Sequence, residues 1–185
     1  MTLFKVRGIP IRLHSSFLVL GGLYLVLRGM NAGADAAIIA LVHAVLVFAF
    51  VFLHELGHAG AAAAFGIRTH HITLYPFGGA AAMQVDPGKP RIETWIALAG
   101  PMVNGLLAAI LFPLAWAGVP GTLTAAWINL GLGLFNLIPA YPMDGGRILR
   151  ARLVLRHGVR TGTLRALGVA RFIGWLSVAV GLYTD

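Results

Sequence analysis

Two histidines and a glutamate lie close together in the segment FLHELGHAG, inside a long apolar stretch. His54 and His58 are four positions apart, so on a helix both side chains project from one face, about one turn apart. That spacing suits two imidazole ligands of one tetrahedral zinc ion, and Glu55 can then act on a water molecule at the metal without being a ligand. HExxH on a helix is typical of metalloproteases, so the segment predicts a metal site with Glu55 as catalytic acid and base.

The surroundings of this motif argue against a chance match. An ionisable side chain at the centre of a membrane helix costs roughly 2.5 to 3.5 kcal/mol on insertion scales, and here one glutamate and two histidines share little more than one turn. Because of this cost, we expect the three residues to have a function rather than merely to pack in an apolar core.

A catalytic zinc site needs a third protein ligand and one open position. The chain contains no cysteine, so the ligand must be a histidine or a carboxylate. Asp144 lies between an apolar helix that ends at prolines and a Gly-Gly pair that allows close backbone approach. The other acids lie in a turn, at a helix start or on the opposite membrane face, and are Asp35, Asp86, Glu93 and Asp185. We therefore expect His54, His58 and Asp144 to bind one Zn²⁺ per chain.

The composition is that of a membrane protein, with 58% hydrophobic and 11% charged residues and a mean hydropathy of +0.84. Lys and Arg number 14 against 6 Asp and Glu, but they lie between the apolar stretches rather than along one aromatic-rich face. This distribution argues against nucleic-acid binding. No small-residue cleavage pattern follows the first apolar stretch, so we expect it to be retained.

We predict one membrane-embedded domain over residues 1–185, an all-α polytopic membrane protein with about five transmembrane helices. The predicted spans are about 14–30, 34–64, 93–117, 123–138 and 165–183. The region of about 68–86 has β-branched and aromatic residues and a Gly-Gly pair, which predicts a small cytoplasmic β-hairpin. FKVRGIPIRL near the N-terminus alternates too, and predicts another short strand pair.

The basic residues indicate an orientation in the cell membrane. Twelve of the 14 fall on one side if the N-terminus is cytoplasmic, as the positive-inside rule requires. They are Lys5, Arg7, Arg12, Arg68, Lys89, Arg91, Arg147, Arg150, Arg152, Arg156, Arg160 and Arg165. In this orientation His54 and Asp144 both lie toward the cytoplasmic face, as a shared metal requires. We expect the Arg-rich stretch 147–165 to face anionic lipid headgroups.

Three motifs together resemble the site-2 protease family of intramembrane zinc metalloproteases. They are HELGH at 54–58, AGPMVNG at 99–105 and NLIPAYPMDGG at 136–146. The resemblance covers about residues 5–155 and suggests a minimal core without a PDZ or CBS appendage. The family motif usually reads Asn-Pro-x-x-Asp-Gly, whereas this chain places Asn136 earlier and retains the Asp144-Gly145 core.

The resemblance implies a fold, an activity and roles for residues. The residues that match His54, His58 and Asp144 bind zinc in the family, and the one that matches Glu55 is the acid and base. It further implies a zinc-dependent endopeptidase that cleaves transmembrane proteins in regulated proteolysis, such as a membrane-anchored anti-sigma or transcription factor.

Further polar residues could contact the substrate. We expect Asn104 and Asn136 to line the site and bind substrate, although amides in apolar helices also form interhelical hydrogen bonds. We expect HITLYPF, residues 71–77, to be an edge strand that holds the substrate extended. His43 lies too far along its helix to share the zinc, and we expect it to serve helix packing.

Two other function classes fit parts of this pattern. One is a membrane ion transporter or channel whose polar cluster binds the translocated ion, and the other is a proteolytically inactive scaffold of the same fold. Glu55→Gln separates the first from a protease, because a transporter should retain flux whereas a protease should lose cleavage and keep zinc.

Overall fold

The computed structural model describes residues 2–75 and 78–184 and shows a mostly helical chain with one small sheet. The strands are β1 (Thr2–Val6), β2 (Ile9–Leu13), β3 (Thr69–Tyr75) and β4 (Gly78–Met83). The helices are α1 (Ser15–Ala64), α2 (Pro90–Trp116), α3 (Thr122–Asn136), α4 (Asp144–His157) and α5 (Val159–Thr184). The mostly helical prediction is confirmed.

Helix α1 is broken at Gly33, whose φ of 81° and ψ of 178° are not helical. Glycine tolerates a positive φ without steric cost, so the chain can change direction there. In the described part of the chain, three helical regions are long and apolar enough to cross a membrane: Ser15–Ala64, Pro90–Trp116 and Asp144–Thr184. The number of crossings, about five from the sequence, stays a prediction.

The two predicted strand pairs form one sheet with the order β1-β2-β3-β4. The N-terminal hairpin joins it because β2 pairs in parallel with β3, the strand that follows the long helix α1. This pairing covers the edge of β3, so the prediction that residues 71–77 form an edge strand is wrong for 71–75, and residues 76–77 lie outside the described residues. The edge strands are β1 and β4.

One face of the sheet packs on the second half of α1. Ile11, Ile72 and Leu74 are buried against Val51 and Ala59 of that helix. Alternation along β2 and β3 places these side chains on the helix side of the sheet. The contact holds the sheet next to the turns of α1 that carry the HExxH motif.

Helix α4 lies in the Arg-rich stretch, where no helix was predicted. Its first turn carries Asp144 and its last turn carries Arg156 and His157, which complements the helix dipole at both ends. Arg150 does not face lipid headgroups as predicted. Its partly buried guanidinium forms an ion pair with the buried Glu93 of α2 and donates a hydrogen bond to Thr163 of α5, because a buried charge requires a partner. This pair fixes α4 against α2.

Candidate metal centre

Helices α1 and α4 bring His54, His58 and Asp144 together. One ligand atom from each residue lies within 4.8 Å of the other two. Asp144 Oδ2 is 3.1 Å from Nε2 of each histidine, and the two Nε2 atoms are 3.0 Å apart. All three side chains are buried. Helical spacing places the imidazoles on one face of α1, and the start of α4 brings the carboxylate to them.

The hydrogen bonds behind the imidazoles indicate which ring nitrogen faces the centre. His54 Nδ1 lies 2.5 Å from Asn104 Oδ1, and His58 Nδ1 lies 2.7 Å from the carbonyl oxygen of Ile96. Both partners are acceptors, so each Nδ1 is assigned the proton and each Nε2 keeps a free lone pair. Two lone pairs and a carboxylate oxygen then converge with no proton between them, an arrangement that a cation stabilises.

The geometry of this donor set fits zinc. Bonds of about 2.0 to 2.1 Å in a tetrahedral site separate two ligand atoms by about 3.3 Å. The separations here are 3.0 to 3.1 Å, so the rings need to move by only a few tenths of an ångström. Imidazole and carboxylate are ordinary zinc ligands, and three protein ligands leave the open position that catalysis requires.

Glycines let the backbone come close on two sides of the centre. A Cβ built on Gly100 of α2 would lie 2.5 Å from His58 Nε2 and 2.6 Å from His54 Nε2. A Cβ on Gly145 or Gly146 would strike the backbone of the segment 137–141. The Gly-Gly pair after Asp144 thus permits the close approach that the sequence predicted, and the absence of a side chain at Gly100 leaves room for the two imidazoles.

Glu55 lies beside the three ligands and opens onto a cavity. Its side chain is buried and packs on Gly79 of β4, where an added Cβ would overlap the carboxylate. Within residues 2–75 and 78–184, no side chain or backbone group hydrogen-bonds this carboxylate. A cavity of about 260 Å³, lined by Glu55, His54 and Gly79 among others, gives it room to reach a water molecule or a peptide bond.

The two predicted amides occupy different positions around the centre. Asn104 is completely buried and holds His54, while its Nδ2 donates to Asn129 Oδ1 at 3.0 Å. Asn136 donates to the carbonyl oxygen of Leu132 and lines the cavity. Substrate contact by either amide stays a prediction. The sequence analysis missed Asn129, although the same signal, an amide in an apolar helix, marks it.

Two side chains near Asp144 were not singled out from the sequence, and one of them, Arg147, lies at the site. Arg147 Nη1 lies 3.5 Å from Asp144 Oδ1, the oxygen that does not face the histidines. Arg147 also lines a neighbouring cavity of about 230 Å³, which shares His54, Glu55 and Gly79 with the first. The contact of Arg147 with Asp144 favours the ionised, ligand form of the carboxylate. Tyr141, in the segment between α3 and α4, is half-buried, and burial raises the pKa of its phenol, so it stays neutral.

The other acidic residues do not join the cluster in the described part of the chain. Glu93 pairs with Arg150, and Asp86 caps its own turn by accepting from the Gly88 N–H. Asp35 is exposed beyond the break in α1, and Asp185 lies outside the described residues. The predicted set of three ligands is therefore the set that the fold brings together.

Comparison with known proteins identifies a family with this arrangement. The family model described as peptidase family M50 matches residues 42–122 and 119–180. A zinc metalloprotease of Methanocaldococcus jannaschii is 37% identical over 186 residues, which cover 97% of this chain and 53% of that protein. Rip3 of Mycobacterium tuberculosis is 36% identical over 197 residues, which cover 96% of this chain and 50% of Rip3.

A solved structure shares the fold as well. The site-2 protease from Methanocaldococcus jannaschii superposes with a TM-score of 0.79 at 36% identity, over 100% of this chain and 85% of that one. The present chain spans about half the length of the curated relatives it matches.

Proposed function

Because the chain belongs to peptidase family M50, the family of the site-2 proteases, we propose that it is a zinc-dependent intramembrane endopeptidase. It cleaves membrane-anchored proteins within or near the bilayer and holds one Zn²⁺ per chain. The observation that carries this proposal is the convergence of His54 Nε2, His58 Nε2 and Asp144 Oδ2, at 3.0 to 3.1 Å from one another, beside the carboxylate of Glu55.

The protein groups divide the chemistry between them. Bound zinc supplies a Lewis acid that polarises a carbonyl and makes water more acidic. Glu55 takes a proton from the attacking water and later delivers it to the leaving amine. Asn104 and the Ile96 carbonyl hold the two imidazoles with Nε2 toward the centre. Such partners behind a ligand fix its orientation and raise its basicity.

The edge strand β4 is suited to receive the substrate. Gly79, Ala80 and Ala81 line the neighbouring cavity that contains Asp144, and β4 has no strand partner on its outer side in the described sheet. A substrate helix hides its carbonyls in hydrogen bonds, so it must unwind before attack. An extended segment could then pair with β4 main chain to main chain, next to Glu55.

The proposal places the chain in the cell membrane with a cytoplasmic N-terminus. The basic-residue count supports this orientation, and the apolar side chains of α1 and α5 are widely exposed on the isolated chain, as lipid contact requires. The site then lies toward the cytoplasmic face, from which water can reach it. Substrates of this topology include membrane-anchored anti-sigma and transcription factors.

The decisive experiment incubates the purified protein in detergent with single-pass candidate substrates. The wild-type chain is compared with Glu55→Gln, with chelator-treated protein and with Asp35→Asn, which removes an exposed acid from the same helix. We expect cleavage by the wild type and by D35N. We expect at least about a hundredfold loss in E55Q, because general acid–base catalysis contributes about 10² to 10⁴ in rate.

Zinc content measured on the same samples separates the roles. We expect about one zinc per chain in the wild type and in E55Q. Cleavage that persists in E55Q or after chelation would refute the protease assignment. Loss of zinc from E55Q would make Glu55 a ligand rather than the base. Ion flux that is retained in E55Q, without cleavage by any variant, would indicate a transporter.

A further inference from the structure

A second cavity, of about 290 Å³, lies away from the metal centre, where the N-terminal hairpin meets the end of α1. Arg7 and Gly8 form one wall at the β1–β2 turn, and Arg68, Thr69 and His70 form another at the start of β3. Ala59 of α1 lies at its base, one residue after His58. No acidic side chain lines this cavity, so it is a cationic concavity.

The basic side chains of this cavity have no partners within the fold. Among residues 2–75 and 78–184, Arg7, Arg68 and His70 form no side-chain hydrogen bond and no ion pair, whereas Arg150 is paired with Glu93. Arg7 and Arg68 are both exposed and line the same concavity, so their like charges add to a positive potential there that favours an anion. Arginine matches the oxygens of a phosphate with two parallel N–H bonds, which makes it the usual phosphate ligand.

The buried wall of the cavity contains an unsatisfied hydroxyl. Thr69 is only 7% exposed. Its Oγ1 is the one buried side-chain atom in the described part of the chain that has no hydrogen-bond partner. Buried polar groups in folded proteins nearly always have a partner, so an orphaned hydroxyl in a cationic cavity calls for an explanation. An anionic oxygen in the cavity would accept its proton after rotation of the side chain.

The backbone at Arg7 is held in a conformation that arginine rarely adopts. Its φ is +48°, the only positive φ of a non-glycine residue in the described part of the chain, and Gly8 follows with φ +83°. Two positive φ values in a two-residue hairpin loop form a turn that favours Asn-Gly. Arginine in the first position therefore stores strain, and strained residues cluster at functional sites. Arg7 lines the cavity despite this cost.

We propose that this cavity binds a phosphate group, carried either by an anionic lipid headgroup or by a small soluble molecule. Arg7 and Arg68 neutralise the charge, and Thr69 donates a hydrogen bond from the buried wall. In the orientation proposed above, the cavity lies on the cytoplasmic side at headgroup level. Phosphate there ties the N-terminal hairpin to β3 and to the end of α1. The inference is independent of protease activity.

The test measures the unfolding midpoint of the full chain in two arms. In detergent, inorganic phosphate is compared with chloride at matched ionic strength. In nanodiscs, phosphatidylcholine with phosphatidic acid is compared with phosphatidylcholine alone. The variants are Arg7→Asn, which suits the turn and removes the charge, and Thr69→Val, which removes the hydroxyl at nearly equal volume. Arg91→Gln is the matched control, an exposed basic residue outside the cavity.

We expect phosphate to raise the wild-type midpoint in at least one arm, with binding about tenfold weaker or worse in R7N and T69V and unchanged in R91Q. A response to phosphatidic acid alone identifies a lipid headgroup, a response to inorganic phosphate alone identifies a soluble ligand, and both responses identify a site for any phosphate. The proposal is overturned if neither arm responds, if R7N and T69V respond like the wild type, or if R91Q loses the response equally.

Discussion

Gly100 offers the sharpest test of the metal centre, because an added methyl group there would meet both imidazole ligands. The Cβ of an alanine would lie 2.5 Å from His58 Nε2 and 2.6 Å from His54 Nε2, whereas ordinary contact begins at 3.4 Å. The His58 ring would therefore have to retreat by about 0.9 Å and the His54 ring by about 0.8 Å, or α2 would have to move away from α1. Either change disrupts the convergence of the three ligand atoms.

We expect Gly100→Ala to weaken metal binding while it increases the stability of helix α2 itself. Changes in the groups around metal ligands typically cost about 10- to 100-fold in metal affinity, and because both imidazoles are displaced here we expect a loss of zinc affinity of about a hundredfold. The backbone effect has the opposite sign, since alanine is favoured over glycine by about 1 kcal/mol in a helix interior. A general loss of helix stability would therefore not explain a loss of zinc.

The assay is competition for zinc against a chromophoric chelator, with metal content checked on the isolated protein. Gly105→Ala is the matched control, because it lies in the same helix and its added Cβ meets no atom within 4 Å. We expect the control to bind zinc like the wild type. Wild-type zinc affinity in Gly100→Ala would show that the imidazoles do not meet the metal where this structure places them.

Three further outcomes follow from the same contacts. Asn129→Ala removes the hydrogen-bond partner of the Asn104 amide and so loosens the contact between Asn104 and His54. Zinc affinity in the same competition assay should then fall about tenfold. An unchanged affinity would show that Asn129 does not help to orient His54. Arg150→Met leaves Glu93 as an unpaired buried charge, so the free energy of unfolding in detergent should fall by about 3 to 5 kcal/mol. Adding Glu93→Gln should restore part of this free energy. A loss below about 1 kcal/mol would show that the pair is exposed to water. Chelation should lower the unfolding midpoint and equimolar zinc should restore it, and a midpoint indifferent to both would argue against a metal ligated across two helices.

The sequence could predict the local part of the centre but not the partners behind it. The spacing of His54 and His58 reports a helical face directly, and Asp144 followed from the absence of cysteine and from the few acids available. The contact between Asn104 and His54 depends on how two helices cross, which no local pattern encodes. Asn129 was missed because an amide in an apolar helix looks the same whether it packs or orients a ligand.

In the fold, too, features set by neighbouring residues could be predicted from the sequence, whereas contacts between distant segments could not. The β3–β4 hairpin was visible in its residue types, but the edge was misplaced because the parallel pairing of β2 with β3 joins segments separated by the whole of α1. Helix α4 was missed because its sequence is rich in arginine and shows no clear apolar face, and its position on α2 depends on the long-range contact of Arg150 with Glu93. Pairings across such distances are set by packing rather than by local propensity.

The two donor helices of the metal centre share little other surface. Helix α4 makes its main contacts with α2 and α5, while His54 and His58 belong to α1. An ion bound by His54, His58 and Asp144 would link α1 directly to α4, and so link the N-terminal and C-terminal helices. Metal depletion would remove the direct link between α1 and α4 and leave them joined only through α2, whose Glu93 pairs with Arg150, so the start of α4 around Asp144 would be the part to loosen.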